Sequence, residues 1–135
     1  MAEDDRTRTG GCLCGGVRYT IHGPARAVIF CHCEQCRRTS GHFVAATACA
    51  PDDLELTRRD SLRWYASSSS ADRGFCATCG SNLFWRPRTG DRISIMAGTL
   101  DAPTGLDGAE HIYVGSKSDY YTIHDGLPQQ YGWEP

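Results

Sequence analysis

Seven of the eight cysteines in this 135-residue chain stand in three tight groups: Cys12 and Cys14; Cys31, Cys33 and Cys36; and Cys76 and Cys79. Thiols packed this closely constrain the chemistry of a fold before they constrain its shape. The leading residues Met1-Ala2-Glu3-Asp4-Asp5-Arg6 are charged and run into no apolar stretch, so no secretory signal is expected and a cytoplasmic, reducing setting is. In such a setting clustered cysteines are metal ligands or redox groups more often than structural disulfides.

Each group has its own geometry. On an extended chain residues i and i+2 face the same way, so Cys12 and Cys14 can reach one ion, and Gly15-Gly16 lets the backbone turn around it. Two thiolates do not fill a tetrahedral zinc site. The expected partner is Cys76-Ala77-Thr78-Cys79-Gly80, a C-x-x-C turn closed by glycine. Together the two pairs would make a closed four-cysteine site, which is a structural one that contributes folding free energy. Cys31-His32-Cys33-Glu34-Gln35-Cys36 offers three thiolates within one short segment. Three protein ligands and an open position is the arrangement of a catalytic zinc. Its net charge, about −1 with three thiolates, is one that Arg37 and Arg38 are placed to offset. Alternatives stay open at this point. The triplet can be completed by Cys49 or a histidine into a second closed site, or can act as metal-free redox thiols. His32, between two same-face ligands, is expected to point away from a metal. Cys49, flanked by Ala48 and Ala50, reads as a small buried apolar residue. His42, His111 and His124 have no ligand spacing, and Trp64 and Trp85 read as core.

Composition fits one globular domain: 40% hydrophobic, 22% charged and 10% aromatic residues. A net charge of −2 argues against nucleic acid or an anionic membrane surface as a partner. No apolar run is long enough for a membrane-spanning helix. Val17, Tyr19 and Ile21 alternate with Arg18, Thr20 and His22, and Ile93, Ile95 and Ala97 with Arg92, Ser94 and Met96. Shorter alternations link Leu62 with Trp64, Leu83 with Trp85, and Ile112 with Val114, while residues 27–30 and 43–49 are apolar runs of strand length. Helical signal is confined to residues 34–39 and one turn at 52–54, and the serines at 67–70 read as a loop. The expectation is an all-β domain over residues 10–135 after a flexible N-terminal tail, residues 1–9, with a long irregular segment at 101–135.

The motifs together resemble a known family. Gly11-Cys12-Leu13-Cys14-Gly15-Gly16-Val17-Arg18-Tyr19, Cys31-His32-Cys33-Glu34-Gln35-Cys36-Arg37-Arg38-Thr39-Ser40-Gly41 and Arg73-Gly74-Phe75-Cys76-Ala77-Thr78-Cys79-Gly80-Ser81 are similar to segments of the glutathione-dependent formaldehyde-activating enzyme (GFA) family. So are His111-Ile112-Tyr113-Val114-Gly115-Ser116-Lys117 and Asp125-Gly126-Leu127-Pro128-Gln129. The resemblance implies an Mss4-like fold of short antiparallel strands around zinc. It implies two Zn²⁺ per chain: a structural ion on Cys12, Cys14, Cys76 and Cys79, and a catalytic ion on Cys31, Cys33 and Cys36. The implied activity is a carbon–sulfur lyase adding formaldehyde to glutathione, with S-hydroxymethylglutathione as product. The open metal position would take a small thiol substrate such as glutathione and lower its pKa. Arg37 is the expected bidentate contact to a substrate carboxylate, and Ser40 and Gly41 are expected to line the pocket. The reading from another class is a non-enzymatic, zinc-stabilised Mss4-like binding module.

Overall fold

Strand after strand in this chain is short because glycine, proline or a polar turn interrupts it within about six residues. The computed structural model describes residues 6–133. It contains β1 (Arg8–Gly11), β2 (Val17–Ile21), β3 (Val28–Cys31), α1 (Glu34–Ser40), β4 (Val44–Cys49), β5 (Leu54–Arg59), β6 (Leu62–Ala66), β7 (Ala71–Cys76), β8 (Asn82–Pro87), β9 (Ile93–Met96) and β10 (Gly108–Ile112). Three single 3₁₀ turns join them, at Pro51–Asp53, Ala97–Thr99 and Val114–Ser116. The class is all-β, as expected. No helix among the described residues is long and apolar enough to cross a membrane.

Two sheets form. The smaller has the order β1-β2-β5 and the larger the order β10-β3-β4-β9-β8-β7-β6. All pairings are antiparallel except β10 with β3. Val17, Tyr19 and Ile21 point inward from the small sheet and meet Leu83, Phe84, Ile93 and Ile95 of the large one. The Tyr19 and Phe84 rings meet edge to face at 5.5 Å, and the Tyr19 hydroxyl bonds Thr99 Oγ1 at 2.7 Å, so the buried polar tip is satisfied. On β7, Gly74 lies between two rings: a Cβ there would sit 3.0 Å from both Phe84 and Trp64.

Several expectations change. Arg8 and Thr9, read as tail, form the start of β1 and pair with Ile21 and Thr20 of β2; residues 1–5 lie outside the described residues, as do 134–135. The segment 101–135, read as irregular, contributes β10 to the large sheet. The alternation of Ile112 with Val114 breaks after Ile112, because Tyr113 turns into the left-handed region at φ 56° and Val114 begins a 3₁₀ turn. Ala97 likewise leaves β9 for a 3₁₀ turn. The helix runs 34–40, one residue beyond the reading.

Candidate metal centres and an adjoining cavity

Cys12 and Cys14 follow β1 in a turn made possible by Gly15 at φ 82°, and Cys76 ends β7 with Cys79 in the next turn, which Gly80 closes at φ 81°. The four Sγ atoms all lie within 4.8 Å of one another. Cys14 Sγ is 3.6 Å from both Cys12 Sγ and Cys76 Sγ. That is far beyond a disulfide bond of about 2.05 Å. It is close to the edge, about 3.8 Å, of a tetrahedron with zinc–sulfur bonds of about 2.3 Å. The donors around these sulfurs favour thiolates. Val17 N–H donates to Cys12 Sγ at 3.2 Å, and Cys79 N–H to Cys76 Sγ at 3.4 Å. Ser81 Oγ, 3.2 Å from Cys79 Sγ, brings that thiol down to about 5, and Ser61 Oγ, 3.1 Å from Cys76 Sγ, lowers Cys76. At Cys14 the Gly16 N–H lowers the thiol but the neighbouring Cys76 thiol, burial and Cys12 outweigh it, and it rises to about 11. The donor set fits a closed tetrahedral metal site.

The second group is assembled from two elements. Cys31 ends β3, Cys33 is the N-cap of α1, and Cys36 lies buried within that helix. Their sulfurs again lie within 4.8 Å of one another. Cys33 Sγ accepts the Cys36 N–H at 3.3 Å, so one atom caps the helix and faces the cluster. Cys33 is brought down to about 2, first by the Cys31 thiol and then by Cys36. Cys31 is pushed well up, because it supplies the proton that Cys33 accepts. Cys36 is lowered by Cys31 but raised more by Cys33 and by burial. No fourth cysteine or histidine joins this group among the described residues. Cys49 lies at 0% exposure in the core cluster around Tyr19, where burial pushes its thiol up to about 11. His32 points away, as expected. Its Nδ1 meets the Tyr121 hydroxyl, its Nε2 meets His111 Nδ1 at 2.8 Å, and His111 Nε2 meets Asp125 Oδ2 at 2.7 Å.

A guanidinium from outside its own motif touches the triplet. Arg38 pairs with Glu34 at the surface, at 2.9 Å. Buried Arg73, on β7, places Nη2 at 3.6 Å from Cys36 Sγ, and its Nε and Nη2 both donate to Gln35 Oε1 at 3.0 and 2.9 Å. Arg73 stands three residues before Cys76, within a motif already quoted, but nothing local says that β7 will cross beside α1.

A cavity of about 500 Å³ opens beside Cys31, Cys33 and Cys36, and none of the other four sulfurs lines it. Its floor is one face of the large sheet. Ile29 and Cys31 of β3, Val44 and Ala46 of β4, and Ser94 and Met96 of β9 face it at alternate positions. Trp85, read as core, packs on the buried cluster of Cys36, Val44, Ala46 and Met96 and also lines the cavity, and Tyr113 and Trp133 come from the C-terminal segment. Arg37, Ser40 and Gly41 are not among the lining residues. Ser40 Oγ donates to the Cys36 carbonyl at 2.7 Å, and Gly41 ends α1 at φ 90° with its N–H on the Arg37 carbonyl. The arginines that border the cavity are Arg26 and Arg73.

Comparison with known proteins adds three findings. The model of the glutathione-dependent formaldehyde-activating enzyme family matches residues 7–116. A Schizosaccharomyces pombe protein named an uncharacterized lyase is 31% identical over 126 residues, covering 86% of this chain and 91% of its own length. A crystal structure of a Rhodobacter sphaeroides protein superposes with a TM-score of 0.57 at 24% identity, covering 72% of this chain and 91% of that one, which shows a shared fold.

Proposed function

The chain belongs to the glutathione-dependent formaldehyde-activating enzyme family, and from that premise we propose that it is a zinc-dependent carbon–sulfur lyase acting on a small thiol and its aldehyde adduct. The observation that carries the reading is an asymmetry. Three sulfurs with no fourth partner among the described residues open on a cavity, whereas the other four form a closed set away from it. Cys12, Cys14, Cys76 and Cys79 would hold a structural zinc, and Cys31, Cys33 and Cys36 a catalytic one. When bound there, zinc supplies a Lewis acid that brings a substrate thiol's pKa toward neutrality.

In the forward direction the substrate sulfur forms a bond to the aldehyde carbon, the carbonyl π pair moves to oxygen, and that oxygen takes a proton. In reverse the carbon–sulfur pair returns to sulfur and the hydroxyl proton leaves. The chain's own residues prepare the place. Arg73 offsets the negative charge of the sulfur cluster through Cys36, and Gln35 holds the guanidinium in line. The apolar floor limits water around the reacting carbon. Glutathione, in the cytoplasm, is the reference thiol for this reading.

Cobalt(II) in place of zinc makes the sulfur coordination visible. Millimolar glutathione or a related thiol should strengthen the sulfur-to-cobalt absorption bands, and Cys36→Ser should lose most of that response. A spectrum that no biological thiol changes would replace the lyase reading with the zinc-stabilised binding module.

A further inference from the structure

We infer that the cavity selects a thiol adduct whose larger substituent on sulfur is an apolar alkyl or aryl group; the inference rests on the lyase reading and narrows its substrate class. The lining away from the sulfurs is the basis. Apart from Ser94, the floor next to Cys31 is apolar, with Ile29, Val44, Ala46, Met96 and Ile112, and Trp85, Tyr113 and Trp133 add three aromatic rings. A volume of about 500 Å³ suits an organic molecule far larger than a hydroxymethyl group. Filled by a small polar adduct, it would hold water against an apolar surface, which is unfavourable.

Both arginines at the cavity are anchored on protein. Arg73 lies on Gln35 Oε1 and Cys36 Sγ, and Arg26 donates through Nη2 to the Ala46 carbonyl at 2.9 Å. Tyr113 adds an independent observation. It is the one non-glycine residue at positive φ among the described residues, a conformation disfavoured for a residue with a side chain. Its N–H donates to the Gly132 carbonyl at 3.0 Å, and Gly115 N–H to the Tyr131 carbonyl at 3.1 Å. These bonds hold the strained turn and bring the Tyr113 and Trp133 rings to the same cavity. A backbone strained to present an aromatic ring to a cavity is a placement that packing of the core does not require.

The test is a chain-length series on the cobalt-loaded protein: ethanethiol, butanethiol and hexanethiol, with glutathione as the polar comparator, followed by cobalt absorbance and by tryptophan fluorescence from Trp85 and Trp133. Affinity should rise by about fourfold per methylene, and hexanethiol should bind more tightly than glutathione. Tyr113→Gly removes the ring and relieves the backbone. It should weaken hexanethiol binding several-fold, leave ethanethiol unchanged, and melt no lower than the wild type. Affinity flat along the series, or glutathione binding more tightly than hexanethiol, overturns this inference and leaves the lyase reading standing. No cobalt response to any of the thiols overturns both.

Discussion

Individual sulfurs in the two clusters differ in how firmly they hold a proton. In the four-thiol group hydroxyls from Ser61 and Ser81 favour the thiolates of Cys76 and Cys79, the latter down to about 5, while Cys14 is pushed up. In the triplet Cys33 is low, but Cys31 and Cys36 are both raised. A metal competes with protons for thiolate, so a ligand with a raised pKa surrenders its metal at higher pH than one with a depressed pKa. In the triplet two ligands are raised, whereas in the closed group two are lowered. Acid titration of the zinc-loaded protein should therefore release the ion on Cys31, Cys33 and Cys36 first, with the other retained to lower pH. Released zinc is read with a chromophoric chelator, and release in a single step or in the reverse order contradicts the assignment. Cys33 shows how a single side chain serves two roles: its sulfur is both helix cap and candidate ligand.

Among the elements, α1 is the most dependent on its surroundings. Seven residues cannot hold a helix alone in water; it persists through the Cys33 cap, the Gly41 turn and the packing of Cys36. A Cβ on Gly41 would meet nothing within 4 Å, so Gly41→Ala tests backbone strain at φ 90° alone. It should cost about 1 kcal/mol, seen as a melting point lower by several degrees, and loosen the zinc on the triplet while sparing the other ion. This helix was legible in the sequence, as was β2, whose buried positions alternate cleanly. Strand β5 was not: Leu54-Glu55-Leu56-Thr57 keeps its whole length half-exposed or exposed, so little burial marks it. Strand β10 was hidden for a different reason. Gly-Ala-Glu-His-Ile carries little strand preference, and its pairing comes from a parallel partner some eighty residues earlier. Both thiol groups were legible from spacing, since i, i+2 and i, i+3 separations are local. The cavity was not, because Arg26, Arg73, Trp85, Tyr113 and Trp133 meet only through the order of strands in the large sheet.

At the scale of the molecule, the four-thiol group ties the end of β1 in the small sheet to the β7–β8 turn of the large one. Metal bound there is folding free energy, on the order of 10 kcal/mol for a structural zinc. Elemental analysis should find two zinc ions per chain. Cys76→Ser should be poorly folded or insoluble, whereas Cys36→Ser should stay folded with about one zinc and lose activity. Equal losses of thermal stability in the two variants would mean that both sites are structural. The placement of Tyr113 and Trp133 has a consequence for how such a chain can change over time. All seven clustered sulfurs fall between Cys12 and Cys79, while these two rings are supplied by a stretch that follows β10 and contains none of those sulfurs. Substitutions drifting through residues 113–133 can thus reshape what the cavity admits while every candidate ligand keeps its neighbours, so that descendants could inherit one reaction and diverge in diet.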